Sequence, residues 1–287
     1  MFNIFELLAS EPPTINIVDI GAMSLGEGED PYDALLKKGS TRIVGFEPVQ
    51  AECNKLNKMH GDGRIYLPYA IGDGARHVFN ICNHSMTSSL YEPNSALLDK
   101  FQHLENLMRV VSHSEVETRR LDDVPEVAET DYLKVDVQGA EVDVFRGATN
   151  VLRNTLVVHT EVEFVPMYKE QPLFSDVDKI LRQNGFLFHK LASFAGRTFK
   201  PLINNNDISA PGSQWLWADA VYIKNFMNLD ALSVEKLLKL AIILHTLYRS
   251  FDTCAFILQH YQNRTKEPLA DRYMSRLVGN KKREFNS

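Results

Sequence analysis

The stretch INIVDIG, residues 15–21, decides the fold of this 287-residue chain. Its β-branched apolar run predicts a strand buried on both faces, which is typical of parallel sheets. The run stops at Gly21, and a residue without a Cβ lets the backbone approach a ligand closely. The stretch therefore predicts a core strand whose carboxyl end is the first place to look for a bound ligand.

Comparable runs recur along the chain and alternate with segments of helical pattern. We predict strands at residues 41–46, 64–71, 132–137, 155–162, 186–191 and 216–223, with weaker strand patterns at 78–82 and 110–118. Helices are predicted between them at residues 31–38, 51–60, 95–107, 140–152 and 174–184. This alternation predicts an α/β fold with a seven-stranded, mostly parallel sheet and helices on both of its faces.

The composition of the chain changes near residue 228. Residues 233–248 and 253–261 are apolar at positions i, i+3 and i+4, which predicts a helical hairpin, and residues 269–277 add a third helix. We predict a sheet domain over residues 1–227 and a C-terminal helical extension over residues 228–287. The extension could cover the sheet or form a homodimer.

Charge and cysteine content exclude several classes of partner and location. A net charge of -6 argues against a nucleic-acid partner, which needs a basic face. Three widely spaced cysteines without a CxxC pair argue against a disulfide framework or a zinc site, and favour a reducing cytoplasm. The N-terminus has no basic segment of a secretory signal, and the most apolar stretch, residues 237–248, is too short to span a bilayer. We predict a soluble cytoplasmic protein.

The residues that end the first two predicted strands indicate a nucleoside pocket. In open parallel sheets, ligands bind at the carboxyl ends of the strands. Asp19 and Gly21 end the first strand, and Glu47 ends the second, where its carboxylate can accept hydrogen bonds from two ribose hydroxyls. Asp19 could instead anchor a loop or cap a helix, and Glu47 could lie in a solvated turn.

The loop after Gly21 narrows the choice of cofactor. It lacks the GxGxxG spacing that cradles a dinucleotide pyrophosphate at a helix N-terminus. Its acids Glu27, Glu29 and Asp30 would also repel a pyrophosphate. A cofactor with a cationic sulfonium and an ammonium group is better matched to these acids. S-adenosyl-L-methionine is such a cofactor.

Several segments, taken in order, resemble the FkbM-type methyltransferases, a family within the Rossmann-like methyltransferase class. They are VDIGA (18–22), VGFEP (44–48), YAIGD (69–73), RLDDV (120–124), and LKVDVQGAE (133–141) followed by FRGA (145–148). The resemblance spans residues 15–225 and implies the Rossmann-like methyltransferase fold. This sequence departs from the family at Met23, where an Asn is usual and an acidic insertion follows, and at Gln138, where Glu is common.

The resemblance also implies how the cofactor is held. Asp19 and the backbone around Gly21, Ala22 and Met23 would hold its methionine portion, and Glu47 would bind the ribose. The remaining implied contacts are Pro48 behind the ribose, Ala70, Ile71 and Gly72 along the adenine, and Asp136 facing the methyl group.

Methyl transfer to a hydroxyl requires a base that takes the hydroxyl proton. The candidates are Asp136, Glu161, Glu141 and His159, of which His159 and Glu161 share a face of one predicted strand. His159 could equally be a satisfied core histidine, and Glu141 a first-turn acid favoured by the helix dipole. No metal is predicted, although Asp136, His159 and Glu161 could together form a metal site.

The acceptor is expected to bind at two polar segments, residues 83–89 and 193–217. In the second, Trp215 and Trp217 with Asn204, Asn205 and Asn206 would suit a sugar ring, unless the tryptophans pack against the last strand. We predict O-methylation of a hydroxyl on a sugar, a glycan or a natural product. The alternatives are a non-catalytic adaptor with the same fold and a dinucleotide-dependent oxidoreductase.

Overall fold

The computed structural model describes residues 2–22, 30–37, 40–59 and 63–284. Its strands are β1 (Ile15–Ile20), β2 (Thr41–Phe46), β3 (Arg64–Leu67), β4 (Ala70–Ile71), β5 (Arg76–Cys82), β6 (Val110–Arg119), β7 (Tyr132–Val135), β8 (Val157–Glu163), β9 (Phe186–Ala195) and β10 (Trp217–Lys224). Its α-helices are α1 (Asp33–Leu36), α2 (Gln50–Met59), α3 (Ser95–Leu98), α4 (Leu104–Leu107), α5 (Glu141–Arg146), α6 (Thr149–Asn154), α7 (Phe174–Gln183), α8 (Val234–Thr246), α9 (Phe251–Thr265) and α10 (Leu269–Glu284).

Seven strands form the main sheet, in the order β3-β2-β1-β7-β8-β10-β9. Neighbouring strands pair in parallel from β3 through β2, β1 and β7 to β8, whereas β10 runs antiparallel to both β8 and β9. The direction in which successive strands are added reverses between β1 and β7, and ligands bind at such a switch point in open α/β sheets. The predicted α/β fold with a seven-stranded, mostly parallel sheet is confirmed.

Helices cover both faces of this sheet, as predicted. On one face, Val18 and Leu133 belong to a buried core shared with α5, α6 and α7. On the other face, Ile17 and Tyr132 belong to a core shared with α8, α9 and α10. The predicted C-terminal helices are therefore present and bury one face of the sheet. The domain boundary between residues 227 and 228 stays a prediction, and so does the homodimer.

A second, smaller sheet has the strand order β4-β6-β5. Strands β5 and β6 form a long antiparallel pair, and the two residues of β4 join β6 in parallel. Because β4 begins only three residues after β3 ends, this sheet starts at the carboxyl edge of the main sheet. It therefore stands beside the switch point between β1 and β7.

Three predicted elements are interrupted, and each of these predictions is wrong for an identifiable physical reason. The strand predicted at 64–71 divides at Pro68, which has no N–H to donate to a neighbouring strand. The helix predicted at 95–107 is two short helices, because His103 adopts a left-handed φ of 66° before α4. The helix predicted at 140–152 divides at Gly147, where a Cβ would lie 2.4 Å from the carbonyl oxygen of Gly72.

A buried charge cluster fastens α8 to the start of β7. Asp131 is fully buried, and its carboxylate accepts hydrogen bonds from Lys236 at 2.6 Å and from Lys239 at 3.0 Å. The backbone N–H of Asn16 donates to the same carboxylate at 2.9 Å. Three donors, two of them cationic, offset the desolvation that burial of the carboxylate imposes. The cluster thus joins β1, β7 and the C-terminal helices.

We expect Asp131→Asn to lower the free energy of unfolding by about 3 kcal/mol, because a broken buried ion pair leaves its partner charge uncompensated. Chemical denaturation followed by circular dichroism measures the loss. Glu235→Gln is the matched control, since Glu235 lies 2.9 Å from the same Lys239 but its side chain is 63% exposed. The control is expected to change stability by less than about 1 kcal/mol. Equal losses in the two variants would contradict the anchoring role of Asp131.

Candidate active site

The carboxyl ends of β1 and β7 meet at Gly21 and Asp136. The backbone N–H of Asp136 donates to the carbonyl oxygen of Ile20 at 3.0 Å. Gly21 has a φ of +85°, and a Cβ at this position would lie 2.0 Å from the carbonyl oxygen of Asp136. Glycine alone combines this left-handed backbone with such a close approach. The turn after β1 and the residue after β7 are therefore held together.

A cleft of about 1030 Å³, including its solvent-open mouth, lies over this junction. Gly21, Lys134, Asp136 and Gln138 line its polar part, and Ser85, Met86 and Ser88 line one side. The rest of the lining is largely apolar and includes Ile20, Phe46, Pro48, Tyr69, Ala70, Ile71, Phe79 and Val116. Apolar walls with a few convergent polar groups are typical of small-molecule sites.

A buried ion pair lies at the floor of the cleft. Lys134 donates to one oxygen of Asp19 at 2.9 Å, and the Tyr32 hydroxyl donates to the other oxygen at 2.6 Å. Burial alone would lower the pKa of Lys134, but the adjacent Asp19 carboxylate outweighs it and raises that pKa. Burial, with the nearby Asp19 charge, raises the pKa of Asp30 to about 6. Asp19 thus holds Lys134 and Tyr32 at the floor of the cleft, with one hydrogen bond to each of its carboxylate oxygens.

Glu47 lies between Phe46 and Pro48, which both line the cleft. It is almost fully buried, and one of its oxygens accepts a hydrogen bond from the backbone N–H of Val49 at 2.8 Å. Burial raises the pKa of its carboxyl group. Glu47 is therefore not in a solvated turn, and it adjoins the cleft without being among its lining residues.

Two acids, Asp136 and Glu161, are joined at the carboxyl edge by Gln138. The side-chain amide of Gln138 donates to Asp136 Oδ1 at 2.8 Å and to Glu161 Oε2 at 3.0 Å. Burial raises the pKa of Glu161 well above its usual value, and the neighbouring Asp136 charge raises it further. Asp136 is the member of the pair that lines the cleft.

The other two candidate bases have structural contacts outside the cleft lining. One oxygen of Glu141 accepts hydrogen bonds from the backbone N–H groups of Val137 and Gly139, at 2.9 and 3.2 Å. Burial raises the pKa of Glu141 to about 7. His159 is buried, and its Nδ1 lies 3.0 Å from the hydroxyl of Tyr248, which the C-terminal segment supplies. Unlike Asp136, neither residue is among those that line the cleft.

The structure brings only some of the predicted cofactor residues to the cleft. Gly21, Pro48, Ala70, Ile71 and Asp136 line it. The buried Ala22 packs instead with Cys53, Leu56 and Tyr66, and the carbonyl of Gly72 lies against Gly147. Met23 lies outside the described residues.

Part of the cleft wall was not predicted. Phe79, Val116 and Thr118 line the cleft from β5 and β6 of the second sheet. Val116 and Thr118 alternate along β6, and alternation is the signal that would have placed them on one face. Nothing in the sequence predicts that this face turns towards β1 and β7, because that depends on contacts between distant segments.

The two tryptophans of the predicted acceptor region have different environments. Trp217 packs against a buried cluster around Tyr168 and Leu216. Trp215 is 44% exposed, and its ring stacks on that of Phe194 with centroids 4.5 Å apart. Over the described residues, the lining of the cleft includes neither tryptophan. The packing interpretation therefore fits Trp217, and Trp215 offers an exposed aromatic surface.

Within residues 2–22, 30–37, 40–59 and 63–284, no three His, Cys, Asp or Glu side chains are grouped so that they could hold a metal ion. In the same parts of the chain, no helix has the length and apolar character needed to cross a membrane.

A doubly wound sheet with a cleft over the ends of β1 and β7 defines the Rossmann-like α/β class, whose ligands bind at this switch point. Within that class, residues 19–188 match the model of the methyltransferase FkbM domain. This match covers more than half of the chain, so the chain belongs to the FkbM methyltransferase family. The resemblance seen in its motifs is confirmed, and the protein is a methyltransferase.

The chain is also similar to individual methyltransferases. The chain is 29% identical over 177 residues to the 2-O-methyltransferase NoeI of Sinorhizobium fredii (strain NBRC 101917 / NGR234). The matched region covers 58% of this chain and 72% of that protein. A solved FkbM methyltransferase from Methylobacillus flagellatus KT is 13% identical, with a TM-score of 0.41 over 73% of this chain and 43% of its own length. A magnesium protoporphyrin IX methyltransferase from Synechocystis PCC 6803, solved with bound SAM, is 10% identical, with a TM-score of 0.39 over 74% of this chain and 71% of its own.

Proposed function

We propose that this methyltransferase uses S-adenosyl-L-methionine and methylates a hydroxyl group of a sugar, a glycan or a natural product. The observation that carries the proposal is that Asp136, a carboxylate suited to take a hydroxyl proton, lines the cleft beside Gly21. The printed name of the relative NoeI, a 2-O-methyltransferase, supports an oxygen acceptor.

The residues around the cleft fit a nucleoside with a cationic end. Phe46, Tyr69 and Ile71 offer an apolar surface for adenine, and Glu47 adjoins them as the carboxylate for the ribose hydroxyls. The turn at Gly21 is left for the methionine portion. We assign Asp19 a supporting role there, because both of its oxygens already have partners.

The negative charge of Asp30 and Asp19 near the turn at Gly21 suits a cationic ligand. Asp30 is half-buried next to Asp19, and burial together with the Asp19 charge raises its pKa to about 6. An ammonium or sulfonium group bound nearby would stabilise the ionised carboxylate. The same carboxylate would repel a pyrophosphate, which is the basis for preferring this cofactor to a dinucleotide.

When bound, S-adenosyl-L-methionine supplies a methyl group on a positively charged sulfur, which is left as a neutral thioether. The hydroxyl of the acceptor must lose its proton as its oxygen bonds to the methyl carbon. We assign Asp136 as the base that takes this proton. Burial, with the neighbouring Asp136 charge, raises the pKa of Glu161, which makes its ionised form less favourable beside Asp136. In this proposal Glu141 and His159 hold the structure around the pair.

Methyl transfer is tested with S-adenosyl-L-methionine whose methyl group carries an isotopic label. Extracts of neutral glycans, free sugars and small metabolites are incubated with the protein, and products are detected by their mass shift. The proposal expects labelled products that are stable to mild base, as methyl ethers are and methyl esters are not. Saturable cofactor binding without transfer to any acceptor fraction would favour the adaptor alternative.

We expect Glu47→Gln to weaken the binding of S-adenosyl-L-methionine about 10-fold, because hydrogen bonds to a charged group contribute about 1.5 kcal/mol or more. Equilibrium dialysis with the labelled cofactor measures the dissociation constant. Glu52→Gln is the matched control, since Glu52 follows on α2 with a side chain that is 53% exposed. An unchanged dissociation constant for Glu47→Gln would contradict the assignment of Glu47 to the ribose.

A further inference from the structure

Gln138 has an unusual backbone conformation directly behind the proposed base. Its φ is +56°, in the left-handed region that a residue with a side chain enters at a free-energy cost of about 1 kcal/mol. Such conformations persist where surrounding contacts require them. The contacts of Gln138 therefore carry information about what the residue does.

The side-chain amide and the backbone carbonyl of Gln138 have partners at the carboxyl edge of the sheet. The amide nitrogen donates one hydrogen to Asp136 Oδ1 at 2.8 Å and the other to Glu161 Oε2 at 3.0 Å. The amide oxygen lies 3.3 Å from the Tyr168 hydroxyl. The Ser89 hydroxyl donates to the backbone carbonyl at 2.6 Å. This pattern fixes the orientation of the amide, because ionised carboxylate oxygens only accept hydrogen bonds.

We infer that Gln138 is a positioning residue, which holds the Asp136 and Glu161 carboxylates as one unit facing the acceptor and links that unit to the cleft side at residues 85–89. This inference rests on the proposed function. Asp136 follows β7, and Glu161 lies near the end of the neighbouring parallel strand β8. When both are ionised and no donor bridges them, their like charges would push the two side chains apart. A neutral residue with two amide hydrogens bridges them without adding charge.

The chemistry of the position favours an amide over an acid of the same size. An ionised glutamate at this place could not donate to either carboxylate, and it would add a third negative charge to the pair. A lysine would place a positive charge beside Asp136 and so make it a weaker base. The glutamine keeps one oxygen of Asp136 engaged, and the other oxygen of that carboxylate is left for the acceptor.

Gln138→Leu tests the inference, since leucine removes both donors and keeps an apolar side chain of similar size. With a product identified by isotope transfer, we expect kcat to fall about 100-fold, as it does when reacting groups are misplaced by about 1 Å. The dissociation constant for S-adenosyl-L-methionine should stay within about 3-fold of wild type, because Gln138 is assigned no cofactor contact.

A second readout needs no acceptor. Carbon NMR of protein labelled at the glutamate carboxyl groups follows the titration of Glu161, with the signal assigned by its loss in Glu161→Gln. Loss of a donor to the ionised form should move the Glu161 midpoint to higher pH in Gln138→Leu. Gln138→Glu, which keeps the shape of the side chain, should move it in the same direction and serves if the leucine variant does not fold.

Gln171→Leu is the matched control. Gln171 is buried on the same side of the site, and its side-chain oxygen accepts from the backbone N–H of Tyr168. The control should lower stability without moving the Glu161 midpoint. Wild-type turnover in Gln138→Leu, or an unmoved midpoint in both Gln138 variants, would overturn the inference and leave the proposed function intact. A wild-type protein that binds the cofactor and transfers no methyl group would instead overturn the proposed function and, with it, this role of Gln138.

Discussion

Asp136→Asn should reduce methyl transfer about 1000-fold, within the range that general acid-base catalysis contributes. The amide has nearly the shape of the carboxylate but cannot take a proton from the acceptor hydroxyl. Because the backbone N–H of Asp136 still bonds to Ile20, the junction between β1 and β7 should persist. The cofactor dissociation constant is therefore expected to change little. Initial rates with the labelled cofactor, measured at saturating acceptor, give the effect on kcat.

Asp143→Asn is the control for the loss of an acidic side chain close to Asp136 in the sequence. Asp143 lies on α5, where its carboxylate accepts a hydrogen bond from the Tyr91 hydroxyl at 2.9 Å and pairs with Arg146 at 2.8 Å. It is not among the residues that line the cleft, and its loss should leave turnover near the wild-type value. Full activity in Asp136→Asn would remove Asp136 from the role of base and leave Glu161 as the acid to test next.

Gly21→Ala should lower the free energy of unfolding by about 2 to 5 kcal/mol. The left-handed φ disfavours any L side chain by about 1 to 2 kcal/mol, and forced overpacking adds about 1 to 3 kcal/mol. The new methyl group would lie 2.0 Å from the carbonyl oxygen of Asp136, and a backbone atom cannot move aside as a flexible side chain can. Thermal denaturation and the cofactor dissociation constant would both report the disruption.

Gly185→Ala separates the effect of the left-handed backbone from the effect of the steric overlap with Asp136. Gly185 has a similar φ of +81°, but a Cβ there would meet nothing within 4 Å. Its loss of stability should be only the backbone part, about 1 kcal/mol. Equal destabilisation in the two variants would mean that the close approach of Gly21 to Asp136 contributes nothing, contrary to the account given for this turn.

The main sheet could be predicted because its signals are local. The run at residues 15–20 and the glycine after it are sufficient to predict β1 and the turn at its end, and the order of motifs predicts the family. Asp136 and Glu161 could be predicted to meet because both lie at the carboxyl ends of neighbouring parallel strands. These inferences need only the periodicity of side chains and the rule that carboxyl ends share one edge.

Features that depend on distant contacts could not be predicted. The break between α5 and α6 arises where Gly147 meets the carbonyl of Gly72, a segment that is far away in the sequence. The environment of His159 depends on Tyr248, whose hydroxyl also lies 2.9 Å from that of Tyr132. A histidine in a sheet looks the same in sequence whether it faces a substrate or a packed helix.

The central claim is that the cleft over β1 and β7 binds S-adenosyl-L-methionine. Calorimetric titration of the wild-type protein tests it most directly, with NAD titrated under the same conditions. The account predicts saturable binding of one S-adenosyl-L-methionine per chain and no binding of NAD. Absence of binding at millimolar S-adenosyl-L-methionine, or saturable binding of NAD in its place, would contradict it.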